Sequence, residues 1–241
     1  MKDASLLVNS LKEMNIELSE TQIKQFEQYY DLLVEWNSFM NLTAITDWDE
    51  VIIKHFVDSL SIVRAIPNMT QVSYSLIDVG TGAGFPGIPI KIAFPNIKVT
   101  LLDSLNKRVN FLNEVISVLG LKDIEAIHGR AEDFGQNPKY RESYDLVVSR
   151  AVANMAVLCE LCLPYSKVDG KFISYKSEKV SEEIENAKKA ISTLSGNING
   201  TIDFMLPNSD IYRSLLIIDK INNCPKKYPR KAGTPSKSPI A

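Results

Sequence analysis

The residues best placed to do chemistry form one run, Asp78-Val-Gly80-Thr-Gly82-Ala-Gly84-Phe85-Pro-Gly87, followed by a second acid, Asp103, 23 residues beyond the first glycine. Glycines at that density admit φ > 0 and leave backbone N–H groups bare of any Cβ, which is how a chain brings a ligand against its own backbone. An acid ending the next strand can accept both hydroxyls of a ribose. Gly82, Gly84 and Gly87 fit the dinucleotide spacing G-x-G-x-x-G literally, which by itself is a weak signal. Against a dinucleotide, Asp78 would repel a diphosphate, and Phe85-Pro86 crowds the turn where a pyrophosphate needs open N–H groups. S-adenosylmethionine (SAM) carries a sulfonium, an amino group and a ribose diol but no phosphate, and suits the run better. A glycine turn that serves packing alone is the plain alternative.

Those residues need a strand before the loop, a helix after it and a second strand alongside. The chain supplies them. Short apolar strands at 76–79, 98–103, 124–128, 144–149 and 170–175 alternate with helical segments at 88–94, 106–119, 153–163 and 181–194. That alternation implies a parallel sheet with right-handed crossovers. Two more strands, 201–206 and 213–219, have only a short link and suit an antiparallel hairpin at the sheet edge. Before residue 67 there is no Gly or Pro. Ile23, Phe26, Tyr30, Leu33 and Trp36 step at helical spacing behind a capping-box pattern, Ser19 with Gln22. After a break at 41–47, Asp47 or Asp49 can cap a further helix carrying Val51, Ile52, Phe56, Leu60 and Val63 on one side. The expected architecture is α/β and Rossmann-like with seven strands. Residues 1–70 form a helical extension, 71–222 the ligand-binding domain and 223–241 a tail.

The composition is that of an ordinary globular chain of 241 residues, 45% hydrophobic and 23% charged. The net charge of −2 excludes a uniformly basic protein. It conceals an asymmetry: Lys220 to the end holds six basic residues and no acid, against 21 basic and 29 acidic residues before it. With Pro225, Pro229, Pro235 and Pro239 that end reads as extended and solvated, either a solubilising end or a phosphate-binding arm. Three cysteines argue against a disulfide framework and for a reducing compartment. No signal peptide and no 18-residue apolar run are visible, so a cytoplasmic protein with no membrane partner is expected. Cys159 and Cys162 make a solitary C-x-x-C and read as helical core, so no metal is expected. Glu178, Glu182, Glu183 and Glu185 read as a solvated helix face.

The run from Asp78 to Ile90 closely resembles the SAM-binding motif of the bacterial small-subunit rRNA methyltransferase G family, also called glucose-inhibited division protein B. The likeness extends over nearly the whole chain. Upstream it rests on Trp36-Asn37, residues 41–46 and 54–60; downstream on Leu101-Leu-Asp-Ser104, Lys107-Arg108, Gly129-Arg-Ala-Glu132, Ser149-Arg-Ala-Val152 and residues 228–235. The resemblance implies a class I SAM-dependent methyltransferase acting on N7 of a guanine in 16S rRNA, alone or in a small-subunit particle. By the same resemblance Gly80, Gly82, Phe85, Asp103, Ala131, Glu132 and Arg150 contact SAM, and Arg150 stands at the pocket mouth as the candidate catalytic group.

N7 of guanine has an in-plane lone pair and no proton, so the reaction needs positioning and electrostatics and no general base. The chain has neither the Asn/Asp-Pro-Pro-Tyr/Phe grip of amino-group methyltransferases nor a Pro-Cys nucleophile. Lys54, His55, Lys107, Arg108, Arg130, Arg150 and Arg230 are the candidate RNA contacts, chiefly to phosphates. Phe85 or Tyr228 could stack on the unstacked base. The competing readings are a SAM enzyme for another RNA or a small molecule, an NAD-dependent oxidoreductase, and a non-catalytic RNA-binding module.

Overall fold

The computed structural model describes residues 2–150, 153–177 and 180–240. Its centre is a sheet of β1 (Ser75–Val79), β2 (Lys98–Asp103), β3 (Ile124–His128), β4 (Tyr144–Arg150), β5 (Ser166–Lys176), β6 (Gly196–Met205) and β7 (Tyr212–Lys220). The spatial order is β3-β2-β1-β4-β5-β7-β6. The first five strands run parallel, whereas β7 lies antiparallel between β5 and β6. The order reverses between β1 and β4, and in such sheets the crevice at the carboxyl ends beside that switch is where ligands bind. The expected edge hairpin is thus present, with its second strand on the inside. Helices α5 (Gly87–Ala93), α6 (Asn106–Val118), α7 (Ala131–Phe134), α8 (Met155–Cys162) and α9 (Ser181–Thr193) make the crossovers.

Ahead of the sheet come α1 (Ser5–Lys12) and α2 (Glu20–Met40), then one continuous helical segment: α3 (Trp48–Val51), a π-helical turn (Ile52–Val57), α4 (Asp58–Leu60) and a 3₁₀ turn (Ser61–Arg64). Ser19 and Gln22 form the reciprocal capping box that opens α2, and Asp47 rather than Asp49 caps α3. Phe26, Tyr29 and Leu33 on α2 share one core with Phe56, Leu60, Leu76 and Phe111, so the helical lead is packed into the sheet's own core. Polar ties fix the seam. The Gln22 amide donates to the carbonyls of Ile92 and Ala93, the Tyr29 hydroxyl to Ala83 and the Tyr175 hydroxyl to Ser59.

The carboxy-terminal segment departs from expectation. It is solvated only in part and is not free of helix: Lys226, Lys227, Lys231 and Lys237 are exposed, but α10 (Thr234–Lys237) is a single turn, and Tyr228 is buried in the second core behind the sheet. The physical reason is its supply of carbonyls. Proline removes a donor but keeps its acceptor. The Arg141 guanidinium gathers the carbonyls of Cys224 and Tyr228, and the Gln136 amide those of Lys226 and Pro229. Cys159 and Cys162 are fully buried on α8, as read from sequence, and burial pushes both thiols up. The acidic helix face is only partly solvated, because Glu183 caps Met155 N–H and pairs with Lys176. Glu178, Ala151 and Val152 lie outside the described residues.

Candidate active site

The glycine loop is a closed hydrogen-bonded unit. Gly80, Gly82 and Gly84 all have positive φ, at 73°, 62° and 98°. Gly80 and Thr81 N–H donate to the Leu102 carbonyl, Gly82 N–H to Asp103 Oδ2 at 2.9 Å, and Gly87 N–H to Asp78 Oδ2 at 2.9 Å. Gly84 and Phe85 N–H both donate to Thr81. Six of the loop amides are therefore spent on the protein's own carboxylates and carbonyls, and Ala83 N–H by itself makes no pyrophosphate cradle. This arrangement answers the ambiguous glycine spacing and weighs against a dinucleotide.

Two acids flank the loop. Asp78 is fully buried; Oδ2 accepts from the Thr81 hydroxyl and Gly87 N–H, while Oδ1 is buried without a hydrogen-bond partner among the described residues. Burial pushes its pKa up to about 6, against the pull of those two hydrogen bonds and of the Arg150 charge. Asp103 accepts Leu105 N–H on Oδ1 and, on Oδ2, Gly82 N–H and a long bond from Arg108 Nη1, which occupies three of the roughly four acceptor sites of a carboxylate. A Cβ built at Gly82 meets nothing within 4 Å, so there is open space against the loop. An orphaned buried carboxylate oxygen, a second carboxylate with acceptor capacity remaining and open space over a glycine fit a ligand with an ammonium, a sulfonium and a ribose diol. SAM is such a ligand, and these residues fit it.

The adenine-side candidates lie next to this pair. Gly129 N–H donates to the Asp103 carbonyl, which brings the end of β3 and the start of α7 alongside β2. There the Ala131 carbonyl accepts the Tyr165 hydroxyl, and Glu132 Oε1 accepts Gly233 N–H at 2.8 Å. The carboxy-terminal segment therefore reaches the start of α7, a contact the sequence does not signal.

On the other flank, at the ends of β4 and β5, a cleft of about 720 Å³ opens against the helical lead, lined by Lys54, His55, Asp58, Arg150, Tyr175 and Arg213 among others. Arg150 Nη1 donates to Asp58 Oδ2 at 3.0 Å and to the Lys54 carbonyl at 3.1 Å, and its guanidinium sits 5.1 Å from the Phe85 ring centre. Arg213 Nε donates to Asp58 Oδ1 at 3.0 Å. Asp58 and Arg213 were missed from sequence. Asp58 carried a signal, being an acid inside the apolar run 51–60 and four residues from Lys54; Arg213, at the start of an apolar strand, carried none.

Several expected RNA contacts are placed elsewhere by the structure. His55 is 9% exposed, stacks on Phe85 with ring centres 4.4 Å apart and bonds Thr43 Oγ1 through Nε2. Burial and, next, the Arg150 charge push its pKa down to about 3, so it carries no charge for a phosphate at neutral pH. Arg230 is bound through Nε and Nη2 to Glu160, a carboxylate with no exposure, because a buried acid demands a fixed cation. Phe85 and Tyr228 are 6% and 8% exposed, so neither offers an open face to a base. Arg108 approaches Asp103 Oδ2 at 3.5 Å, beside the acid expected to take the ribose. Lys107 and Arg130 are exposed on that same flank, and Lys54, paired with Glu50, is half-exposed on the cleft.

The fold recurs in solved structures at low identity. A putative RNA methyltransferase from Pyrococcus horikoshii aligns with a TM-score of 0.51 at 13% identity, over 69% of this chain and 84% of that one. A putative sarcosine dimethylglycine methyltransferase from Galdieria sulphuraria gives 0.51 at 13%, over 69% and 86%. These show the class I methyltransferase architecture alone. Sequence relationships are far stronger. A protein of Lachnoclostridium phytofermentans named ribosomal RNA small subunit methyltransferase G is 54% identical over 240 residues, covering 100% of this chain and 98% of that protein. Its namesake in Staphylococcus aureus is 55% identical over 234 residues, 97% of each. The family model described as rRNA small subunit methyltransferase G matches residues 22–208, a span holding the glycine loop, both strand-end acids, Asp58 and Arg150, and the chain belongs to that family.

Proposed function

We propose that this protein transfers a methyl group from SAM to N7 of a guanine in 16S rRNA. The observation that carries the reading is membership of the rRNA small subunit methyltransferase G family along the whole chain, joined to a glycine loop whose amides are closed to phosphate and whose flanking acids suit a cation. When bound, SAM supplies an electrophilic methyl group on a sulfonium. Asp78, Asp103 and the Gly80–Gly82 turn hold that ligand, with Ala131 and Glu132 at its adenine end and Arg150 at the mouth toward the cleft. Arg150 is fixed by Asp58, the Lys54 carbonyl and the Phe85 ring, so it presents a positive charge with little freedom left to lose. It is the group placed to orient the base.

The protonation states in the cleft support a nucleophile that brings no proton. Neutral His55 is held by Thr43 and lies behind Arg150, with Arg150 Nη2 3.3 Å from its Nδ1, and Asp58 is bound by two guanidinium groups. Neither is free to act as a base, and N7 requires none. The test is transfer of labelled methyl from SAM to 16S rRNA taken from cells lacking this protein, offered both naked and as small-subunit particles, followed by mass mapping of the product. Label at a guanine N7 is the expected result; label on an exocyclic amine, or none, overturns it.

A further inference from the structure

The cleft beside the glycine loop carries a charge imbalance that cofactor binding does not use. Asp58, 4% exposed at its side chain, receives Arg150 on one oxygen and Arg213 on the other, and those two arginines are only 15% and 17% exposed. Two permanent cations thus share one carboxylate where water is largely excluded; the other acids near them are Asp78, which feels the Arg150 charge, and Glu182, exposed on the same cleft. Lys54 and Lys176, on the same cleft, are already matched by Glu50 and Glu183. His55 adds none at neutral pH. A cation that shares its carboxylate in a partly dehydrated cleft attracts an oxyanion more strongly than an exposed one does. The planar guanidinium fork is the side chain suited to phosphate oxygens. Arg213 spends Nε on Asp58 and Nη1 on the carbonyl of Tyr212, and Nη2 is the arm left for a ligand.

Position decides which oxyanion. Arg213 opens β7, which is separated from β1 by β4 and β5. Three strand spacings are about 14 Å. That sets the Arg213 backbone away from β1, on the side where the helical lead and the ends of β4, β5 and β7 form a cleft, while its guanidinium reaches back through Asp58 toward Arg150. We propose that Arg213, beside Arg150 and with Asp58 holding both, seats a backbone phosphate of the RNA next to the target base. This rests on the RNA-methylating reading above. Asp58 is the positioning residue: it sets the two forks at a fixed separation without touching substrate.

The experiment measures binding of unmethylated 16S rRNA to the full-length protein across a salt series, with the SAM dissociation constant measured in parallel. Arg213→Gln is expected to weaken RNA binding about tenfold. It is also expected to reduce the slope of log affinity against log salt by about 0.7, the value for one single-strand phosphate contact. SAM affinity stays as in the wild type. A residue that merely supports the fold would not change the salt slope. Arg213→Lys restores the slope and only part of the affinity. Asp58→Asn keeps the slope, because both guanidinium charges remain, and weakens binding. In the wild type, a neutral methylphosphonate at the seated phosphate reproduces the slope loss, which keeps the test decisive should Arg213→Gln fail to fold. Wild-type affinity and slope in Arg213→Gln, a loss confined to SAM binding, or no methylphosphonate position that alters the slope would each overturn the proposal. A wild-type protein that binds the RNA with the full slope yet transfers no methyl group sinks the assigned reaction and leaves the phosphate seat standing.

Discussion

Gly82 donates its N–H to Asp103 Oδ2 at 2.9 Å, so the loop after β1 and the acid ending β2 are one unit. A carboxylate that is read from sequence as a ribose acceptor also fixes the backbone of the glycine loop. Asp103→Ala removes the acceptor of both Gly82 and Leu105 N–H. The expected cost is about 1–3 kcal/mol of stability, from donors left without partners. SAM affinity falls further, and amide hydrogen exchange at Gly82 and Leu105 speeds up selectively. Unchanged exchange at both amides would show that the bond does not hold the loop.

Gly82 and Gly84 separate ligand space from packing space. A Cβ at Gly82 meets nothing within 4 Å, so Gly82→Ala bears only the left-handed backbone cost, about 1–2 kcal/mol, and projects a methyl group into the pocket. A Cβ at Gly84 lies 2.5 Å from Ile88 Cδ1 and 2.7 Å from the Tyr29 hydroxyl, at φ +98°. Thermal melts with calorimetric SAM titration should find Gly82→Ala folded but about tenfold or more impaired in binding. Gly84→Ala should be destabilised by roughly 3 kcal/mol or more.

With Asp78 in the proposed SAM site, binding is expected to depend on pH. Its folded pKa of about 6 lies above the ordinary 3.8, so the protonated acid favours the folded state. The stability this contributes is complete below pH 3.8 and lost as pH rises through about 6. Replacing the acid by Asn keeps an oxygen for Thr81 and Gly87 and removes the charge. The stability of Asp78→Asn relative to wild type therefore rises between pH 4 and pH 7. Ligand binding runs the opposite way. A cationic ligand needs the ionised carboxylate, so wild-type SAM affinity falls by about tenfold per pH unit below pH 6. Asp78→Asn gives a flat profile. A wild-type affinity unchanged from pH 7 to pH 5 would remove Asp78 from the binding site.

Arg230 is a structural cation. Arg230→Ala leaves the Glu160 carboxylate buried without its partner, at an expected cost of about 3 kcal/mol in urea unfolding. Adding Glu160→Gln recovers most of that loss, because the stranded charge is gone. The salt slope of RNA binding stays at the wild-type value in the folded double variant. A reduced slope there would return Arg230 to the phosphate contacts.

The parts of this protein legible in its sequence are those set by local chemistry. Hydrophobic runs between turn residues located β2 and β3 to the residue. Ser19 with Gln22 marked the start of α2, and Asp78, the glycines and Asp103 marked the turn after β1 and the acid that braces it, because a sharp bend and a strand-ending acid are each written in local sequence. Even the edge hairpin was visible, from the short link between its strands. Tertiary structure alone decided which charges are free. Arg230 and His55 look like RNA contacts in the chain, but one neutralises an acid 70 residues away and the other stacks on Phe85 under an arginine. The four prolines of the tail predicted solvation, yet carbonyls between Cys224 and Pro229 dock on Arg141 and Gln136. Asp58 and Arg213 are 155 residues apart and meet only because β7 inserts between β5 and β6 and so brings its first residues to the helical lead. A cation's role depends on whether a buried carboxylate claims it, and that pairing exists only once the chain has folded.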